Sequence, residues 1–367
     1  MSNARKLADS LPIDGQIGIG RNMLINGDMS IAQREVTSYA VGDGNAYKNV
    51  DRWKVFASNT AGRCTMQQNT DAPPGFNYSL KFSCTTADTS IAANESFIIS
   101  QAIEAQNCTL ARHGTSEAKQ ITLSFYAKAD STKTYVVQIL NNKHSGYIHN
   151  NRTFTVTSSW QRFEMTFQAD TTADSKMDGT LTDAGFSVMF YLHAGSDFTS
   201  ATLASDWATG TTNRAAGTQS IFSSTNNRFY LTGCQLEVGP QSTPFEHEPV
   251  GVTLSKCQRY YQTIISNNQN GTVMVNRNRL NTNEYSGTAY APSKMRGLPN
   301  ITSTGLDRFH KPGVTYDTIS TLSVATNDTD GKTARVNLIP TTNHTDVQSG
   351  WLGSSGGSGK IIFDAEL

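Results

Sequence analysis

Between Asn22 and about Glu248 the chain is a succession of short segments in which apolar and polar side chains alternate, with turn residues between them. In Leu123-Ser124-Phe125-Tyr126-Ala127-Lys128-Ala129, one face carries Leu123, Phe125 and Ala127 while Ser124 and Lys128 point the other way. Phe163-Glu164-Met165-Thr166-Phe167 alternates more cleanly still. A period of two means a strand with one buried face, the pattern of antiparallel sheets packed into a sandwich. Composition supports this reading. Thr, Ser and Asn supply 45, 36 and 28 of the 367 residues, while charged residues make up only 16%. Thr favours strands, and Asn, Ser and Gly favour turns, so the chain reads as all-β. Aromatic residues at 9%, spread along the sequence, argue against disorder.

The strand candidates in this part are Asn22–Ile25, Trp53–Ala57, Cys64–Gln68, Tyr78–Thr85, Ser96–Gln101, Ile121–Ala129, Tyr135–Leu140, Arg152–Val156, Gln161–Ala169, Gly185–Leu192 and Arg228–Glu237. Ala194–Thr225 is too long and polar for a hairpin and reads as a surface excursion. A short helix is predicted over Thr253–Tyr261, with Leu254, Cys257 and Tyr261 on one face and Thr253 as its cap. It follows Pro249 and Gly251, which puts a boundary near residue 250. The division is an arm over residues 1–21, a β-sandwich over 22–250, and a linker helix with a smaller β domain over 251–367. The later strands are predicted at Thr272–Asn276, Gly287–Ala291, Thr321–Thr326, Ala334–Ile339 and Lys360–Glu366, with a turn at Asn327–Gly331. The Gly- and Ser-rich stretch Ser349–Gly359 reads as mobile or held by a partner. Pro12, Gly15, Gly18 and Gly20 prevent a helix in the arm, which has no core of its own and reads as an assembly element.

Thirty basic and thirty acidic residues cancel, so phosphate-driven nucleic-acid binding has no electrostatic support. No window approaches the length of a membrane span, and Met1–Gly20 lacks a signal peptide's apolar stretch. Cys64, Cys84, Cys108, Cys234 and Cys257 are odd in number and lack zinc spacing. They read as small buried hydrophobes, with no obligatory disulfide, in a protein made in a reducing cytosol.

No spacing diagnostic of catalysis occurs: no Gly-x-Ser-x-Gly, no phosphate loop and no His-Glu-x-x-His. The chain is read as non-enzymatic. His144 and His149 read as surface histidines, and Glu246-His247-Glu248 diverges on an extended backbone. Trp53 and Trp160 enter strands and read as core. Trp207 and Trp351 sit among few apolar neighbours, where a large ring packs locally or meets a partner, and these two are the candidate ligand residues. Asn26-Gly27-Asp28 offers oxygen donors suited to calcium, and a tight turn with a satisfied Asp28 explains the same residues.

Asn22–Met29, Leu123–Ala129, Ser159–Phe163 and Phe229–Glu237 resemble strands of the jelly-roll carbohydrate-binding modules of xylanases and related hydrolases. The ordered set of Asn26-Gly27-Asp28-Met29 with Ile31, Gln33 and Arg34, Asp51-Arg52-Trp53, Gln235–Gly239, Thr243–Glu246 and Cys257–Tyr261 resembles bacteriophage tail-fibre and related virion proteins. The resemblance spans about Asn22–Tyr261. It implies a jelly-roll sandwich, sometimes with a structural calcium, which would fall on Asp28 and Glu237. No other cofactor is implied. It further implies a virion protein, made in the host cytoplasm, that joins other tail proteins through its arm. As a homotrimer it would recognise a host surface glycan or receptor, with no nucleic-acid partner and no membrane insertion. The competing readings are a glycan-degrading tail enzyme with an accessory sugar-binding module, and a structural head or tail decoration protein. A fibre attached by its N-terminus would turn the domain bearing Trp351 outward.

Overall fold

A computed structural model describes residues 20–34, 38–42, 44–266, 273–277, 284–310, 316–326, 332–342, 349–355 and 359–367. The chain forms two units, Met1–Thr253 with Leu367 and Leu254–Glu366. The arm before Gly20, the Asn327–Gly331 turn and residues 356–358 lie outside the described residues.

The alternating segments of the first unit assemble into two six-stranded antiparallel sheets, a jelly-roll β-sandwich. The first sheet has the order β1 (Tyr39–Val41), β4 (Arg63–Asn69), β5 (Ser79–Thr86), β12 (Arg228–Val238), β7 (Ile121–Ala129) and β10 (Gln161–Phe167). The second has the order β2 (Gly44–Tyr47), β3 (Lys54–Ser58), β6 (Ser96–Glu104), β11 (Ala184–Ala194), β8 (Lys133–Asn141) and β9 (His149–Val156). The apolar phase of each strand faces the opposite sheet. Leu123, Phe125 and Ala127 are fully buried, and the Phe125 ring lies 5.0–5.2 Å from those of Phe154, Phe163 and Phe190. A bulge at Gly233 (φ 61°) resets the phase of β12, so that Phe229 and Leu231 before it and Leu236 after it all face inward. A Cβ at Gly233 would fall 2.7 Å from the Phe76 ring.

Asn22–Ile25 is not a strand. It runs as bends beside β12, with Met23 N–H donating to Leu236 O. The reason lies in the side chains that follow. Asn26, at φ 58°, accepts from the Ile31 N–H and donates to the Ile31 and Asp51 carbonyls, while Trp53 Nε1 donates to Asn26 O. Gly27 leaves no room for a side chain, because a Cβ there would sit 2.0 Å from Cys234 O. Asp51 accepts from Gln33 and pairs with Arg34 at 3.3 Å. Glu246 accepts from the backbone of Gly20 and Asn22. The polar groups that define the opening and closing motifs are thus spent on one another, fastening the first residues of the sandwich to its last strand.

The second unit is built differently. A six-stranded barrel closes in the order β14 (Val273–Arg277), β15 (Tyr285–Tyr290), β19 (Thr333–Pro340), β18 (Asp317–Thr326), β17 (Arg308–His310) and β20 (Ser349–Gly353). Beside it lies a three-stranded sheet of β13 (Tyr261–Ser266), β21 (Gly359–Asp364) and β16 (Asn300–Thr304). Val275, Tyr285, Phe309, Val336, Leu338 and Leu352 fill its core. The strands β1, β2, β13, β16, β17 and β20 are not among those predicted from the sequence, and β1, β2 and β17 have only three or four residues each. The helix spans Val250–Gln258, so Thr253 lies within it and does not cap it. All five cysteines are buried free thiols, with Cys64 and Cys84 opposite each other on β4 and β5. Burial pushes the Cys64 thiol far up and the Cys108 thiol up to about 12.

Candidate functional site

The two outer faces of the sandwich meet different fates. On the second sheet, Ile98, Val136 and Tyr191 point away from the core yet are buried, because Phe198, Leu203 and Ala215 of the excursion lie on them. Polar groups fix this roof. Arg214 donates to Gln138 Oε1 at 3.0 Å, Gln138 to Asn151 Oδ1 at 2.8 Å, and Asn151 to Ala204 O at 2.8 Å. His149, expected at the surface, is fully buried beneath it and contacts Gly210 O through Nε2 at 3.1 Å. Burial, followed by the nearby Arg214 charge, pushes the His149 pKa down to about 4. A neutral ring then donates from Nε2 and accepts from Asn151 at Nδ1. The excursion is therefore a docked cover, and it closes this face to any ligand.

Among the described residues, the first sheet has no such cover. Strand register sets Gln67, Lys81, Tyr230 and Lys128 side by side across β4, β5, β12 and β7, and Trp160 stands at the entry of β10 beside them. At an interstrand spacing of about 4.8 Å this row is about 19 Å long. The Trp160 and Tyr230 rings lie 6.1 Å apart, edge to face. Lys128 Nζ sits 4.7 Å from the Tyr230 centroid and 5.4 Å from that of Trp160, and Lys81 Nζ lies 5.4 Å from Tyr230. Asp71 gathers the row by accepting from Trp160 Nε1 at 3.1 Å and from Lys128 Nζ at 2.5 Å. Burial pushes the Asp71 carboxyl up, but these two hydrogen bonds together with the charges of Lys128 and Lys81 outweigh it and hold the group below its ordinary value. Next to the row, Tyr126 packs on Phe76, whose ring also meets Phe245 and His247. The half-buried Trp160 ring, with ammonium groups and a carboxylate beside it, can stack on the apolar face of a sugar and hydrogen-bond its hydroxyls.

Trp160 is half-buried on this outer face and not in the core. The signal that marks the strip is phase. In Phe229-Tyr230-Leu231 and Phe125-Tyr126-Ala127 an aromatic residue occupies the polar position of an alternating strand.

Trp207 packs half-buried against the core edge. Its Nε1 donates to Gln168 O at 2.6 Å and its ring stacks at 25° on Phe186, with His113 edge-on. Trp351 lies on β20, not in a mobile loop, and stacks at 5° on His310, 6.1 Å away. Its indole Nε1 is buried without a hydrogen-bond partner among the described residues, as is His310 Nε2. Asp28 accepts from Ser30 and lines a cavity of about 10 Å³ with Asn22, Asn26, Glu246 and Glu248. Glu237 does not line that cavity. Its carboxylate accepts from Gln235, the Thr243 amide and the Thr243 hydroxyl. Asp28 and Glu237 are thus engaged with different neighbours. Among the described residues, three metal-binding side chains converge at Asp88, Glu95 and His193.

No family model matches the chain, and no curated protein matches it. Among solved structures, the family 11 carbohydrate-binding module of Clostridium thermocellum in complex with a mixed-linked tetrasaccharide is 14% identical. The match covers 57% of this chain and 98% of that one, with a TM-score of 0.29. A C. thermocellum family 22 carbohydrate-binding module is 10% identical over 62% of this chain and all of its own, with a TM-score of 0.31. The enzymatically active domain of bacteriophage CBA120 tailspike protein 4 is 9% identical over 59% of this chain, with a TM-score of 0.30. The match spans only 21% of that tailspike domain.

Proposed function

We propose that this protein is a non-catalytic virion component, a phage tail fibre or receptor-binding protein, and that its sandwich recognises a host surface glycan. The observation that carries the reading is the half-buried Trp160 ring, held by Asp71 at the end of the Lys81–Tyr230–Lys128 row. Trp160, half-buried and held edge to face against the buried Tyr230 with Lys128 and Asp71 beside it, offers one rigid ring whose order is established before ligand arrives. The ordered sequence motifs support the virion part of the reading. Trp351 is a second candidate contact, because its ring is half-buried on β20 and stacked on His310.

Binding of the full chain to purified host-surface polysaccharide, measured by calorimetry or surface plasmon resonance, tests this. Trp160→Ala should weaken binding at least about tenfold, the scale of one lost aromatic stacking contact. Unchanged affinity in a folded Trp160→Ala variant moves recognition off this strip, and Trp351→Ala is then the variant to measure. Release of reducing sugar during incubation favours the glycan-degrading alternative. Binding to neither polysaccharide nor host cells leaves the decoration reading.

A further inference from the structure

We propose that Asp88, Glu95 and His193 form a structural site for one divalent transition-metal ion, zinc by the chemistry of its donors. The three side chains come from two segments, the connection between β5 and β6 and the end of β11. Their ligand atoms lie within 4.8 Å of one another. All are buried, with Asp88 6%, Glu95 4% and His193 0% exposed. Neither carboxylate forms a salt bridge to a lysine or arginine among the described residues, and His193 Nε2 approaches Glu95 Oε2 at 2.9 Å. Two buried carboxyl groups and one imidazole thus converge with no Lys or Arg side chain paired to them among the described residues, a donor set that a divalent cation can bridge.

The surroundings fit a metal's outer shell. Asp88 is oriented by Thr60 Oγ1 and by the Ala61, Gly62 and Ser90 amides. The Ala92 amide donates to Glu95 Oε1, and Ser220 Oγ lies 2.7 Å from His193 Nδ1. A partner on Nδ1 fixes the ring and leaves Nε2 directed at the carboxylates, the arrangement common to metal-bound histidines. One imidazole nitrogen and two carboxylate oxygens suit zinc, whereas calcium asks for six to eight oxygens. Zinc at about 2.1 Å from each donor needs the donors about 3.4 Å apart, so the three side chains would close in slightly on the ion, with water as the fourth ligand. The ion would fasten both ends of the excursion. Gly195 and Asp197 at its start donate to the Glu95 and Ala93 carbonyls, and Ser220 at its end holds His193.

The experiment loads the full chain with ZnCl2 after EDTA treatment, desalts it, and measures bound metal by mass spectrometry and Tm by calorimetry. The expected result is one zinc per wild-type chain with a Tm that rises on loading. Glu95→Gln and His193→Gln should each retain less than a tenth of that zinc and show no rise. A wild-type chain that retains no zinc, or folded variants that retain as much, overturn the proposal. If a variant fails to fold, cobalt loading of the wild type decides by NMR. Paramagnetic broadening centred on the His193 ring and the Asp88–Glu95 amides supports the site, and broadening centred elsewhere or absent overturns it.

Discussion

Both sheets of the sandwich follow one rule of alternation, yet their outer faces differ in what lies at the polar phase. On the second sheet that phase carries Ile98, Val136 and Tyr191, and a docked excursion buries them. On the first it carries Lys81, Tyr126 and Lys128, which are half-buried, and Tyr230, which the two lysines cover, while Tyr126 packs on Phe76. Apolar groups on an outer face demand a cover, because leaving them in water forfeits roughly 25 cal/mol per Å². Amphipathic groups satisfy themselves at the surface through ring–cation contacts and keep one side free. The face with the more apolar residues is therefore the closed one, and the face with aromatic and charged residues together is the one able to meet a ligand.

Removing an anchor of the roof should have the largest effect. Tyr191→Ala empties a buried site under the excursion and should lower unfolding stability by about 3 kcal/mol in urea denaturation. A loss no larger than that of Trp160→Ala would erase the distinction between the faces. The roof should also make the closed face sensitive to acid. His149 has a folded-state pKa depressed to about 4, below its ordinary 6.5. The unfolded chain therefore binds the proton first, and the contribution of this residue is present above about pH 6.5 and lost as pH falls toward 4. Wild type should lose about 1 to 2 kcal/mol relative to His149→Gln between pH 7 and pH 4.5, and parallel stability curves would contradict the burial argument. On the open face, Trp160→Ala should cost about 1 kcal/mol of stability, since the ring is half-exposed, while removing the binding described above. Smallest of all, Lys81→Gln should change stability by no more than about 0.5 kcal/mol, measured by the same denaturation, because its ring contact is at the surface.

Much of the sandwich was legible because alternation is a local property. Ile121–Ala129 was readable to the residue, and Tyr78–Thr85 and Arg228–Glu237 to within a residue or two at each end. Asn22–Ile25 misled because its apolar run is followed by Asn26 and Gly27, whose bonds to Ile31, Asp51 and Cys234 turn the chain. The candidate site was far less legible. Trp160 looked like a strand-entry core residue beside Phe163, and nothing near it in sequence announced Asp71, its hydrogen-bond partner 89 residues away. Trp207 and Trp351 were singled out for sparse apolar neighbours, but their neighbours come from elsewhere, Phe186 for one and His310 for the other.

By itself the sequence determined the class of fold, since a period of two in several of its segments leaves a half-buried sheet as the structure that hides their apolar phases at once. Which outer face would be open was decided only in three dimensions. Register across β5, β12 and β7 lines up Lys81, Tyr230 and Lys128, and the docking of Phe198, Leu203 and Ala215 closes the other sheet. The same holds for Asp88, Glu95 and His193, which converge from positions up to 105 residues apart. The physical reason is range: alternation is written between neighbours along the chain, whereas a cover, a row or a ligand cluster is a contact between distant segments that exists only once the sheets have paired.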